Sequence, residues 1–174
     1  MSEAPTGISP TESMPGPGAM MRPPATVAIF NSSPDTLEML VCLFNSVGFR
    51  AVTAHADDVK SGVFDFIEFI GIENPDAIVW DITPPYDRNW TFLRLLRSIG
   101  PLEHRGIVVT TTNKADVDRL AGRDGCGLEI VGTPYDLQGI VEAVTRAIER
   151  RDASREPVFG HREESPSGRQ NNPA

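Results

Sequence analysis

The chain has 174 residues, 40% hydrophobic and 23% charged, a length and balance that suit one ordinary globular domain with tails. Its net charge of −8 weighs against nucleic acid as a partner, because phosphate binding needs a cationic surface. No run approaches the ~20 apolar residues of a membrane span and the start lacks the pattern of a signal peptide, so a cytoplasmic protein without a membrane partner is expected.

Residues 1–24 are rich in Pro, Gly, Ser and Thr and have no apolar periodicity, so they cannot bury enough surface to offset the entropy of ordering. A disordered tail is expected there, and another over residues 152–174, leaving 25–151 as the folded domain. Within it, "TVAIF" is a short strand ending at Asn31. "PDTLEMLVCLFNSVG" follows with Leu37, Leu40, Val41 and Phe44 at helical spacing, with Pro34 suited to a first turn and Gly48 to the end. "FRAVTA" alternates like a strand. "DDVKSGVFDFIEFIG" places Val59, Val63, Phe66, Ile67 and Ile70 on one face and predicts a second helix.

"AIVW" is apolar at every position, as a strand covered on both faces must be, and Asp81 stands at its C-terminal end. "WTFLRLLRSIG" predicts a third helix, "GIVVTT" a fourth strand, "KADVDRLAG" a short fourth helix and "LEIVG" a fifth strand. "DLQGIVEAVTRAIER" closes the pattern with an apolar stripe of Leu137, Ile140, Val141, Val144 and Ile148. Five strands alternating with five helices make an α/β domain, a doubly wound five-stranded parallel sheet with helices on both faces. Ligand chemistry in such sheets lies at the carboxyl ends of the strands, which is where Asp81 falls.

Other residues that could carry chemistry have plainer readings. Cys42 and Cys126 are far apart and lack metal-ligand spacing, so both read as small packing residues. His55, His104 and His161 fall in expected loops or tail and share no ligand spacing, while Trp80 and Trp90 read as packing residues. The basic stretch "RAIERRDASR" reads as a solvated helix end. No G-x-x-x-x-G-K-[ST], G-x-G-x-x-G, G-x-S-x-G or H-E-x-x-H pattern occurs, which disfavours an independent enzyme.

Four loops, "NSSPD", "DITPP", "TTT" and "GTPYDL", each following a strand, carry a resemblance. Over residues 27–148 the chain resembles the receiver domain of bacterial response regulators, a CheY-like, flavodoxin-like fold; its best segment is "PDAIVWDITPP". The resemblance makes Asp81 the phosphoacceptor candidate, with Mg²⁺ held by that aspartate and by an acidic pair after the first strand. Here Asn31 and Ser32 occupy the places of the pair, which leaves Asp81 as the one carboxylate and a weak or absent Mg²⁺ site. Thr133, followed by Pro134, stands where the family has a lysine, and Thr111 matches the hydroxyl after the fourth strand. Ile130 replaces the aromatic switch residue.

Loss of a preorganised charged group of this kind commonly costs on the order of 3 kcal/mol in transition-state stabilisation, so ordinary phosphotransfer should be slow. Asp35, Asp87 and Lys114 are candidate substitutes from neighbouring segments. The resemblance therefore implies a stand-alone, degenerate receiver in two-component phosphorelay signalling. It would act by contact with a histidine kinase or another signalling protein, or as a dimer through the fourth helix, fifth strand and fifth helix. Two readings stay open beside it: a receiver phosphorylated at Asp81 despite the missing groups, and a flavodoxin-like module binding a small ligand at the same strand ends.

Overall fold

The β-branched and apolar runs form strands β1 (Thr26–Asn31), β2 (Arg50–His55), β3 (Ala77–Ile82), β4 (Gly106–Thr111) and β5 (Leu128–Gly132). They are seen in a computed structural model that describes residues 23–102, 104–122, 128–132 and 136–155. Cys126, Thr133, Pro134, His161 and most of both expected tails lie outside the described residues. The strands lie side by side in the order β2-β1-β3-β4-β5, every neighbouring pair parallel. β1, β3 and β4 are buried at every position, whereas β5, at one edge, is half-buried throughout. This is the doubly wound sheet expected from the alternation of elements.

Helices cover both faces. Helix α1 (Pro34–Ser46) begins with Pro34 in its first turn, and the Ser33 side chain accepts a hydrogen bond from the Thr36 N–H. The expected second helix is two helices: α2 (Ala56–Ser61) and α3 (Phe66–Glu73). Gly62 ends α2 with a φ of 74°, a conformation that favours glycine, and the Asp65 side chain caps α3 by accepting from Glu68 N–H. Val63, expected on the apolar stripe, is consequently 82% exposed in the connection.

Helix α4 (Tyr86–Arg97) starts four residues before the expected Trp90, so Asp87 lies in its first turn rather than in a loop. A 3₁₀ turn at Gly100–Leu102 leads to β4, followed by α5 (Lys114–Ala121) and α6 (Leu137–Arg155). His55 closes β2, and Cys42 on α1 is exposed, not a packing residue, because the buried stripe of that helix is Leu37, Leu40 and Phe44.

Alternation along the strands divides the interior into two cores. Phe30, Ile78, Trp80, Ile82 and Val109 point to the face covered by α2, α3, α4 and α5. Val27, Ile29, Ala77, Val79 and Val108 point to the face covered by α1 and α6. Trp80 is fully buried against Phe30, with ring centroids 5.1 Å apart, and Trp90 is buried nearby, so both tryptophans pack the first core.

The amino edge of the sheet is fastened by charge. Asp76 accepts the Thr26 N–H at 2.8 Å and pairs with Arg151, whose Nε also donates to the His104 carbonyl at 3.1 Å. Arg105 binds the Pro75 carbonyl and the Asn74 side chain. The basic stretch of α6 is thus not merely a solvated helix end: the Arg151 side chain is 9% exposed and ties the helix to β1 and β3.

Replacing Asp76 by Ala should lower stability by about 1–3 kcal/mol in urea unfolding, since it leaves the Thr26 N–H without its acceptor and the mostly buried Arg151 with only the His104 carbonyl and a longer pair to Asp152. Replacing Glu73, whose pair with Arg50 is surface-exposed, should cost under about 1 kcal/mol.

Two glycines should respond with opposite signs. A Cβ on Gly106 would meet the Ala147 backbone at 2.8 Å, so Gly106→Ala should destabilise by about 1–3 kcal/mol. Gly71 sits in α3 with nothing within 4 Å, and Gly71→Ala should stabilise by roughly 0.5–1 kcal/mol in the same assay.

Candidate functional site

β3 delivers Asp81 to the carboxyl edge in the parity opposite to Trp80 and Ile82, hence on the side of α1 and α6. Only 7% of it is exposed. A carboxylate buried to that degree requires donors, and Thr110, its register partner on β4, donates from Oγ1 to Asp81 Oδ1 at 2.9 Å. The expected hydroxyl was Thr111. That residue lies in the other parity, fully buried, where its Oγ1 accepts the Asn113 N–H at 3.2 Å at the entrance to α5. The hydroxyl facing Asp81 is therefore Thr110, and Thr111 shapes the following loop.

Asn31 ends β1, one step beyond Phe30, which is paired with Trp80. The structure thus brings Asn31 and Asp81 to the same edge, with Asn31 4% exposed. Its Oδ1 accepts the Ser33 N–H at 2.8 Å, so this oxygen fixes the turn into α1. Ser32 lines one cleft with Asp57 of α2. The Ser32 hydroxyl first, then Lys60 at 3.3 Å, against partial burial, hold the Asp57 carboxyl below its ordinary range.

Asp57 is the acidic residue that sequence reasoning missed. Its sole sequence signal is a place in the first turn after β2, and only the fold brings that turn to Ser32.

Asp35 and Asp87 are exposed first-turn residues. Lys114 lies near the carboxyl end of β5, its Cβ 3.2 Å from where a Cβ on Gly132 would stand, but its ammonium pairs with Asp118 at 3.1 Å. Thr133 and Pro134 lie outside the described residues. Ile130 is half-buried against the first core.

A separate cleft of about 580 Å³ opens between α2 and the start of α4. Ser32, Asp57, Lys60, Thr83, Pro84, Pro85, Arg88, Asn89 and Phe92 line it; Asp81 does not. The Thr83 carbonyl accepts from Asn89 Nδ2 at 2.7 Å, which fixes the loop after Asp81 onto α4. Tyr86 at the head of α4 shares a 2.8 Å hydrogen bond with Thr112, next to the cap of α5.

These donors do not fit a Mg²⁺ centre. The ion requires near-octahedral oxygen ligation, normally including one or two carboxylates. Here Asn31 Oδ1 is engaged by Ser33, the Thr83 carbonyl by Asn89, and one Asp81 oxygen by Thr110. Among the described residues no group of three or more His, Cys, Asp or Glu side chains is placed to hold a metal.

No family model and no curated protein matches the chain. Solved structures match it in fold. A response regulator receiver domain protein from Clostridium thermocellum is 20% identical, with a TM-score of 0.58 over 75% of this chain and 98% of that one. Chemotaxis protein CheY4 of Vibrio cholerae is 17% identical, with a TM-score of 0.57 over 71% and 98%. A sensor protein from a Polaromonas species is 19% identical, with a TM-score of 0.61 over 73% and 98%. The chain therefore has the CheY-like receiver fold, the flavodoxin-like architecture expected from its loops. No helix among the described residues is long and apolar enough to cross a membrane.

Thr110→Val should cost about 1–3 kcal/mol in urea unfolding, because it removes a donor from a buried carboxylate. Ser32→Ala should raise the Asp57 pKa toward the ordinary carboxylate value, read from its side-chain carbon shift in an NMR titration. The sign follows from a depressed folded-state pKa: the favourable contribution of ionised Asp57 exists above its unfolded value and disappears as pH falls through the folded one. The wild type should therefore keep Asp57 ionised to lower pH than the variant.

Proposed function

We propose that this chain is a cytoplasmic, non-enzymatic receiver-type signalling module of a two-component system, in which Asp81 no longer supports ordinary Mg²⁺-dependent phosphotransfer. Output is protein contact through α5, β5 and α6, either with a histidine kinase or other signalling protein or with a second copy. The receiver fold supports the signalling class. The engagement of Asp81 Oδ1 by Thr110, with no carboxylate at Asn31 or Ser32, is the observation that carries the loss of phosphotransfer.

Phosphoryl transfer depends on charge placed in advance around the transferring group, and this site keeps one acid where the resemblance calls for three. Asp57 does not restore the set, since it lies on α2, paired with Lys60, in a cleft that Asp81 does not line. The face assigned to contact has ordered charge of its own. Glu129 on β5 meets Arg150 at 2.6 Å and Arg146 at 3.1 Å, while Leu137 at the head of α6 is 39% exposed.

Acetyl phosphate or beryllofluoride with millimolar Mg²⁺ tests the reading. No Asp81-dependent mass gain or spectral shift is expected; a stoichiometric gain that disappears in Asp81→Asn would overturn the proposal in favour of a working phosphoacceptor. Installing Asn31→Asp and Ser32→Asp with Thr133→Lys should raise Mg²⁺ affinity about tenfold or more, measured by tryptophan fluorescence titration, since each added carboxylate attracts the ion by at least ~1 kcal/mol.

A further inference from the structure

Among the described residues, the cleft between α2 and α4 holds a cation with no counterion. Lys60 faces Asp57 at 3.3 Å, and these two charges balance. Arg88, exposed in the first turns of α4, makes no hydrogen bond or ion pair among the described residues. Its isolation is specific. Arg50, Lys114, Arg119, Arg146, Arg150 and Arg151 all pair with carboxylates, and Arg94, Arg97 and Arg105 are likewise engaged. In a chain with 24 acids to 16 Lys and Arg, an unpaired guanidinium lining a cleft runs against the surrounding charge.

The rest of the lining gives the cleft a second character. Phe92 is half-buried there, 6.0 Å from the Trp80 ring, and Pro84 and Pro85 add apolar ring surface beside the Ser32 hydroxyl. The volume of about 580 Å³ is large enough for a small organic molecule.

We propose that this cleft binds a small organic anion. Arg88 holds the carboxylate or phosphate head, with Ser32 alongside and the Lys60–Asp57 pair at the far wall, and a compact apolar body lies on Phe92 and the two prolines. A guanidinium presents paired N–H donors that suit either head group.

Such a ligand would sit against the first turns of α4, whose Tyr86 is bonded to Thr112 at the approach to α5. Occupancy is thereby connected to the face assigned to protein contact. The regulatory meaning rests on the proposed function; the binding itself does not.

The test is an amide NMR titration of the full chain with phenyl phosphate and with benzoate, using inorganic phosphate and benzyl alcohol as comparisons. Saturable shifts centred on Ser32, Lys60, Arg88 and Asn89 are expected with one or both aryl anions, and which of them binds defines the head group. Inorganic phosphate and benzyl alcohol should bind at least about fivefold more weakly, since each supplies only half of the recognition. Arg88→Gln should lower affinity about tenfold or more, whereas Arg119→Gln and Asp81→Asn should not change it. Arg88 contacts no partner among the described residues, so its variant should keep the wild-type spectrum.

Absence of saturation by about 10 mM would overturn the proposal. So would unchanged binding in Arg88→Gln, inorganic phosphate or benzyl alcohol binding as well as the aryl anions, or loss of binding in Asp81→Asn. The two readings fail separately: phosphorylation of Asp81 would remove the proposed function and leave the titration standing, and a silent titration would leave the acceptor assay unaffected.

Discussion

Every residue of β3 is buried, and that constraint orders the site around it. The strand has neighbours on both edges and helices on both faces, so each side chain must enter one of two cores and parity alone decides which. Trp80 enters the aromatic core. Asp81, one residue later, must enter the other. An unpartnered carboxylate there would cost several kcal/mol, so a donor in register is required, and β4 supplies Thr110. What looks in sequence like an acid offered at a strand tip is, in the fold, an acid already engaged from the neighbouring strand.

The architecture was legible because the apolar runs are clear: "AIVW" has no polar position, and the strand and helix patterns alternate without a gap. The break between α2 and α3 was not, although its causes lie in plain view as Gly62 and Asp65. Val63 continues the apolar stripe, and periodicity alone cannot tell an apolar residue in a connection from one on a helix face. The threonines are a subtler case. Thr110, Thr111 and Thr112 are chemically alike, and only the register of β4 on β3 decides which one faces Asp81. Asp57 and Arg88 were invisible for a further reason: each gains its meaning from a neighbour on another element, and a single sequence carries no record of that meeting.

The two edges of the sheet use charge differently. At the amino edge, Asp76 and Arg151 pair with each other and, like Arg105, bind backbone groups, joining β1, β3 and the end of α6. Along the outer strand, Glu129 is partly buried, which alone would raise its pKa. Arg146 and Arg150 more than offset that, and the carboxyl lies below its ordinary range. These contacts hold a scaffold together. The carboxyl edge is where parallel sheets place their ligands, and there, among the described residues, Arg88 has no charged partner.

The carboxyl edge is consequently split into two environments of opposite character. On the α1 and α6 side, Asp81 is buried and bonded to Thr110. Between α2 and α4, the Arg88 guanidinium, unpaired among the described residues, lines a cleft with an aromatic wall. A receiver fold changes its output only if something binds its two states unequally, and a ligand can shift the equilibrium by no more than that difference. On the resemblance, Asn31, Ser32 and Thr133 stand where a receiver would carry two acids and a lysine, so under the proposed function a phosphoryl group would find little leverage there. Leverage in the cleft would come from α4 instead. Its first turns carry Arg88, hold the loop after Asp81 through Asn89, and reach the approach to α5 through Tyr86. One helix thus carries the cation and touches the loop after Asp81 and the proposed output face, so on the proposed reading a load placed on its first turns would reach the other two without passing through Asp81.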